Sequence, residues 1–275
     1  MKYLLVSLAF TLVIFGCKKN STQPETSLTP RTDWNLVWSD EFNYKGLPDP
    51  AKWTYDVGGY GWGNHELEYY TSKRLENARV EDSVLVIEAR KENMDTNKYT
   101  SARLIAKSKG DWTYGRFEVK AILPFGRGTW PAIWMLPDVW NYGDGGWPEN
   151  GEIDIMEHVG YDPGWIHGSI HTKAYNWVIN TQKTALIKVK DCTLNYHIYA
   201  IEWDSVKIDF YVDSMKYLTF KNEKTGYAVW PFDKAFHFIL NIAVGGDWGG
   251  AQGVDDLIFP QKMIIDYIRM YKRNN

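Results

Sequence analysis

Cysteine is nearly absent from this sequence: Cys17 and Cys192 are the two it has. Cys17 falls in an N-terminal leader, which leaves Cys192 without a partner. The fold therefore has no disulfide to rely on and must be held by its core. Long apolar runs are missing too. The stretch from Leu4 to Phe15 is apolar but too short to cross a bilayer as a stable helix. Nor is there an excess of one charge: 31 Lys and Arg stand against 34 Asp and Glu, for a net charge of −3. No cluster of Lys and Arg disturbs that balance, so there is no electrostatic case for nucleic acid as a partner. After residue 33 there is no Pro/Ser linker, no internal repeat and no sustained apolar stripe of period 3.6. The remaining length fits one domain, and the expected state is a monomer.

The leader has the parts of an export signal. Lys2 gives the positive start, Leu4 to Phe15 the apolar segment, and Gly16-Cys17 the end. That end resembles a bacterial lipobox, in which the cysteine thiol is acylated and becomes the new N-terminus. A plain secretory signal that contains a cysteine is the competing reading. Residues 1–17 are thus expected to be a lipoprotein signal ending at the acylated Cys17. Residues 18–32 are polar, cannot bury an apolar face, and read as a flexible tether. The folded domain is then 33–275, exported and held to a membrane by its lipid anchor alone, on the periplasmic or cell-surface side of the outer membrane.

What the sequence has in quantity is aromatic: 14 Trp and 18 Tyr. Their flat apolar faces with a polar edge suit stacking on the C–H surfaces of sugar rings, although a large aromatic core is the other use for them. Apolar residues alternate with period two over 84–89, 103–106, 115–121, 196–203, 207–212, 236–243 and 263–271. Between these runs lie Gly, Asn, Asp and Pro clusters, which are turn chemistry. Many short strands joined by turns predict an all-β fold: two packed antiparallel sheets, a jelly-roll sandwich.

One strand is acidic: Gly151-Glu152-Ile153-Asp154-Ile155-Met156-Glu157-His158. Glu152 and Asp154 share a face, with Ile153 and Ile155 turned to the core. Strict alternation would then send Glu157 inward, where an unpaired carboxylate is costly. One extra residue, a β-bulge near Met156, returns Glu157 to the acidic face. Retaining glycosidases need two carboxyl groups roughly 5–5.5 Å apart, one to attack and one to donate and then accept a proton. Crowded negative charge also raises the proton affinity of one member, which keeps the acid protonated near neutral pH. A solvated acidic face or a divalent-cation site are the other readings of the spacing alone.

With these residues in view, the sequence resembles glycoside hydrolase family 16, and within it the laminarinase (endo-β-1,3-glucanase) branch. The likeness runs from Trp38-Ser39-Asp40-Glu41-Phe42 to Ile265-Asp266-Tyr267-Ile268-Arg269. The resemblance implies a sandwich with an open substrate cleft on its concave face. It makes Glu152 the nucleophile, Asp154 its helper and Glu157 the acid/base. In Gly128-Thr129-Trp130-Pro131-Ala132-Ile133-Trp134 it puts Trp130 and Trp134 under the sugar near the cut; a core Trp pair is the alternative. In Gly61-Trp62-Gly63-Asn64-His65-Glu66 it makes Asn64 a donor to sugar hydroxyls, against an ordinary turn Asn. Arg103 is either a fork for sugar hydroxyls or the partner of a structural acid. His171 is placed near the helper acid and substrate, whereas His167 reads as a plain buried His. In Gly245-Gly246-Asp247-Trp248-Gly249-Gly250 the resemblance puts Trp248 in the cleft, against a loop plug. Glu41 and Asp266 fall where relatives hold a structural Ca²⁺ on the convex face, with a surface ion pair as the competing reading. No cofactor is implied for catalysis.

The expected substrate is a neutral β-1,3-glucan such as laminarin, or a mixed β-1,3/1,4-glucan. An agar-type substrate would want basic residues in the cleft, where Trp-rich segments stand instead. A non-catalytic β-glucan-binding protein is the reading from another class, but such relatives typically lack acids that Glu152 and Glu157 supply here. Transglycosylation is the same chemistry with a sugar in place of water.

Overall fold

The computed structural model describes residues 33–274; the signal, Cys17 and the tether lie outside the described residues. The period-two runs are strands. Lys207–Val212 keeps its predicted ends, while the strand starting at Val84 runs on to Met94 and the last one spans Gln261–Arg273. Helix is confined, among the described residues, to two single 3₁₀ turns at Trp177–Ile179 and Asp256–Ile258.

The strands form two sheets, antiparallel but for one parallel pair between Glu68–Tyr70 and Asn97–Ser101. One sheet, here called the groove sheet, is 8-stranded. Its order is Lys183–Lys188, Trp165–His171, Glu152–Glu157, Thr129–Pro137, Phe236–Val244, Arg103–Ile105 and Thr54–Asp56, with Asp111–Trp112 also on Phe236–Val244. The outer sheet is 10-stranded, with Gly115–Ile122 and Gln261–Arg273 near its middle and Met215–Lys221 at one edge.

The core lies between them. Ile133, Ile153, Phe238 and Leu240 from the groove sheet meet Leu85, Phe117, Val119 and Ile265 from the outer sheet, all at most 1 % exposed. Fully burying such a side chain contributes about 1.5–3 kcal/mol, so a core of this size can hold the fold without a disulfide. Cys192 is buried within it as a free thiol. The strand Phe236–Val244 is buried along all of its length. Its even-numbered residues from Phe236 to Ile242 join the core cluster, while Asn241 and Ala243 reach the floor of a groove on the other face.

Candidate active site

The acidic strand carries the predicted bulge. Against Trp165–His171, Asp154 faces Ser169 and Glu157 faces His167, so three steps on one strand match two on the other. Against Thr129–Pro137, Trp134 faces Asp154 and Ile133 faces Met156, which makes Ile155 the inserted residue. Ile155 and Met156 both turn into the core, at 1 % and 0 % exposed. Glu157 is thereby returned to the groove with Glu152 and Asp154.

The groove is two adjoining cavities of about 450 and 470 Å³. Glu152, Glu157, Trp130, Asn64 and Trp177 line both, so the carboxyl pair sits where they meet. One side is walled by Trp62, Arg103, Trp134, Trp140 and Trp147, the other by His167, His171 and Trp248.

Each glutamate accepts a hydrogen bond from an indole. Trp147 Nε1 donates to Glu152 Oε2 at 2.9 Å, and Trp130 Nε1 to Glu157 Oε1 at 3.0 Å. His171 Nε2 lies 3.2 Å from Asp154 Oδ2 and 4.0 Å from Glu152 Oε1, the first a close contact without hydrogen-bond alignment. Burial and then mutual repulsion push the carboxyls up. Glu152 is raised to about 8 by burial and the Asp154 charge, opposed by His171 and Trp147. Asp154 is raised to about 7, mainly by burial. Glu157 goes well above the ordinary carboxylate range through burial and then Asp154. The crowded, buried trio thus resists carrying three charges at once.

The other predicted residues divide. Asn64 is in the groove and donates to Glu66 Oε1 at 3.1 Å. Trp130 and Trp134 share the groove face as the strand period requires, and Trp134 Nε1 is tied to Asn241 Oδ1 at 2.8 Å. Arg103 is the partner of an acid and also reaches the groove. It lines the groove, pairs with Asp56 at 2.9 Å, and lies between the rings of Trp62 and Trp134 at 4.7 and 4.6 Å. Trp248 packs edge-on against Trp130 and His167, at centroid distances of 5.4 and 4.8 Å. His167 is a correction: it faces Glu157 across the strand pair and lines the groove rather than sitting in the core. Trp147 and Trp177 are site residues that the strand pattern did not mark. Both lie in connecting segments, where periodicity carries no signal.

Glu41 makes a two-pronged ion pair with Arg269, both contacts 2.8 Å, and Asp266 pairs with Lys120 at 2.7 Å. Both carboxylates are therefore matched to cations of the chain itself.

Acid side chains at the waist of a long aromatic groove, on a two-sheet sandwich, define an enzyme that cuts glycosidic bonds within a polysaccharide. Comparison with known proteins gives the family. The model of glycosyl hydrolases family 16 matches residues 66–269, and the chain belongs to that family. A beta-glucanase of Rhodothermus marinus is 53 % identical over 278 residues, spanning 99 % of this chain and 96 % of that protein. The solved laminarinase from Rhodothermus marinus is similar at 57 % identity and a TM-score of 0.87, covering 88 % of this chain and 98 % of that one. The laminarinase catalytic domain from Thermotoga maritima follows at 43 % and 0.80, covering 88 % and 100 %.

Proposed function

We propose that this chain is an endo-acting β-1,3-glucanase that cuts laminarin-like glucan with retention, using Glu152 and Glu157 as its carboxyl pair. The observation that carries the reading is the bulge at Ile155, which sets Glu157 on the same groove wall as Glu152. In the first step a Glu152 oxygen bonds to the anomeric carbon, the glycosidic C–O bond breaks, and Glu157 gives its proton to the departing oxygen. In the second, Glu157 takes a proton from water, the water oxygen bonds to the anomeric carbon, and the bond to Glu152 breaks. Two inversions give net retention. Asp154 shares a proton with Glu152, while His171 and the Trp147 indole favour the charged form of Glu152 that attacks. Cavities on both sides of the pair suit a chain that continues past the cut in both directions. Trp130, Trp134 and Trp248 supply stacking faces and Asn64 and Arg103 hydrogen bonds to sugar hydroxyls.

The test is Glu152→Gln on laminarin, lichenan, agarose and κ-carrageenan. Turnover is lost with oligosaccharide binding kept, and the parent releases β-anomeric product first from laminarin. Hydrolysis by the variant, or an α-anomeric first product, overturns the reading. The lipid anchor at Cys17 belongs to the same proposal. Labelled palmitate is expected in the full chain and absent from Cys17→Ser.

A further inference from the structure

The bulge that turns Glu157 into the groove has a counterpart across the core. In the outer sheet, Met215–Lys221 pairs with Lys207–Val212 so that Phe210 faces Leu218 and Tyr211 faces Lys216. Tyr217 is the residue left over, a second bulge. Its side chain reaches the groove sheet, where its hydroxyl donates to the carbonyl oxygen of Ile155 at 3.4 Å. Ile155 is the residue that the first bulge inserts. Two irregularities in different sheets are thus joined by one phenol. Its ring packs edge-on against Phe210, centroids 6.3 Å apart.

Space for this contact comes from Gly168, which lies between Ser169 and His167, opposite Ile155 and Met156. A Cβ on Gly168 would lie 2.3 Å from Tyr217 Oη and 2.9 Å from Phe210 Cδ1. Its backbone has no left-handed angle that would itself ask for glycine. Room for the phenol is therefore the physical reason for glycine at this position.

We infer that Tyr217 is a positioning residue for Glu157, its hydroxyl holding the Ile155 bulge in the register that aims the carboxyl at the glycosidic oxygen. A strand with period two has a competing arrangement. If the bulge relaxes toward regular pairing, residues beyond it rotate toward the opposite face, and Glu157 is the first functional side chain beyond it. Burial keeps the Tyr217 phenol protonated, with the Glu157 charge adding to the effect, so it stays a donor across working pH. Removing the hydroxyl leaves the bulge without this tie across the core.

The inference rests on Glu157 as the acid/base, and the experiment separates the two. A laminarin leaving group needs a proton, whereas dinitrophenolate departs without one. kcat/KM is measured for laminarin and for a dinitrophenyl β-laminaribioside with parent, Glu157→Ala, Tyr217→Phe and Gly168→Ala. Tyr217→Phe is expected to lose roughly tenfold on laminarin, the scale of one hydrogen bond, and to stay within about twofold on the aryl substrate. Gly168→Ala, which presses on the phenol, shows the same selectivity, and Glu157→Ala shows it more strongly. A Tyr217→Phe protein that keeps its laminarin activity, or loses both substrates equally, overturns the inference while Glu157→Ala still discriminates. Should Glu157→Ala lose both equally, the acid/base reading itself fails, and the inference with it.

Discussion

The indole N–H of Trp147 donates to Oε2 of Glu152 at 2.9 Å. This bond favours the charged form of Glu152, opposing the burial and the Asp154 charge that raise its pKa to about 8. Trp147→Phe removes the donor, so the carboxyl holds its proton to higher pH. Since the nucleophile must be ionised, the acid limb of the kcat/KM profile moves to higher pH, and kcat falls by about 10- to 100-fold, as for a lost hydrogen bond to a charged group. A pH profile on laminarin checks this; an acid limb left in place would mean the indole only packs.

Trp147 also marks where sequence reasoning ran out. Glu152, Asp154 and the return of Glu157 were legible because a strand has one period and an inward carboxylate has a high cost. The same period puts Trp130 and Trp134 on one face, and the family resemblance is what pointed that face at the groove. Trp147 stands in the connection 138–151, whose turns are held by Asn150 and Glu149 within the segment and by Lys173–Glu149 and Lys234–Asn150 from outside it, none of which a period reveals. His167 lies four residues before His171 on one strand, so period two puts both on the groove face. Tyr217 was silent, since its function depends on two bulges in different sheets meeting.

Arg103 is clasped between Trp62 and Trp134 and tied to Asp56. Its planar guanidinium can stack on both rings while pairing with the acid, which a lysine ammonium cannot. Arg103→Lys is therefore expected to loosen both groove tryptophans. KM for laminarin rises about 5- to 20-fold, consistent with cation–π contacts of about 0.5–2 kcal/mol, while kcat stays within about threefold because the carboxyl pair is untouched. Steady-state kinetics decide it, and a fall in kcat at constant KM would contradict this role.

Glu68 is an acid at 0 % exposure whose Oε2 accepts the Val244 N–H. Burial, followed by the charge of Glu66, pushes its pKa well above the ordinary carboxylate value, so the folded protein keeps it neutral. In the unfolded chain it ionises near its ordinary pKa of about 4.3. Above that pH the unfolded state binds fewer protons, and stability falls as pH rises toward the folded pKa. Glu68→Gln retains the acceptor for Val244 and removes that loss. Its melting temperature relative to the parent should therefore climb between pH 5 and pH 8. A gap that is constant or shrinks with pH would show that Glu68 is ionised in the fold.

Trp248 rides on a glycine turn that brings it against Trp130. Gly245 and Gly246 have φ of +70° and +76°, a region costly for other residues. At Gly249 an added Cβ would lie 2.7 Å from Trp130 Cβ and 2.6 Å from Gly245 O. The glycines thus let the loop close on itself and on Trp130. The result is a half-buried indole on the far side of the cut from Trp62 and Trp134. Trp248→Ala should therefore weaken the hold on sugars on that side only. Product sizing from end-labelled laminarin oligosaccharides reads this directly: the cut moves toward the chain end held by the Trp248 side, and KM rises about tenfold, the scale of one aromatic contact. An unshifted cleavage pattern would make Trp248 a plug over His167 rather than a binding face.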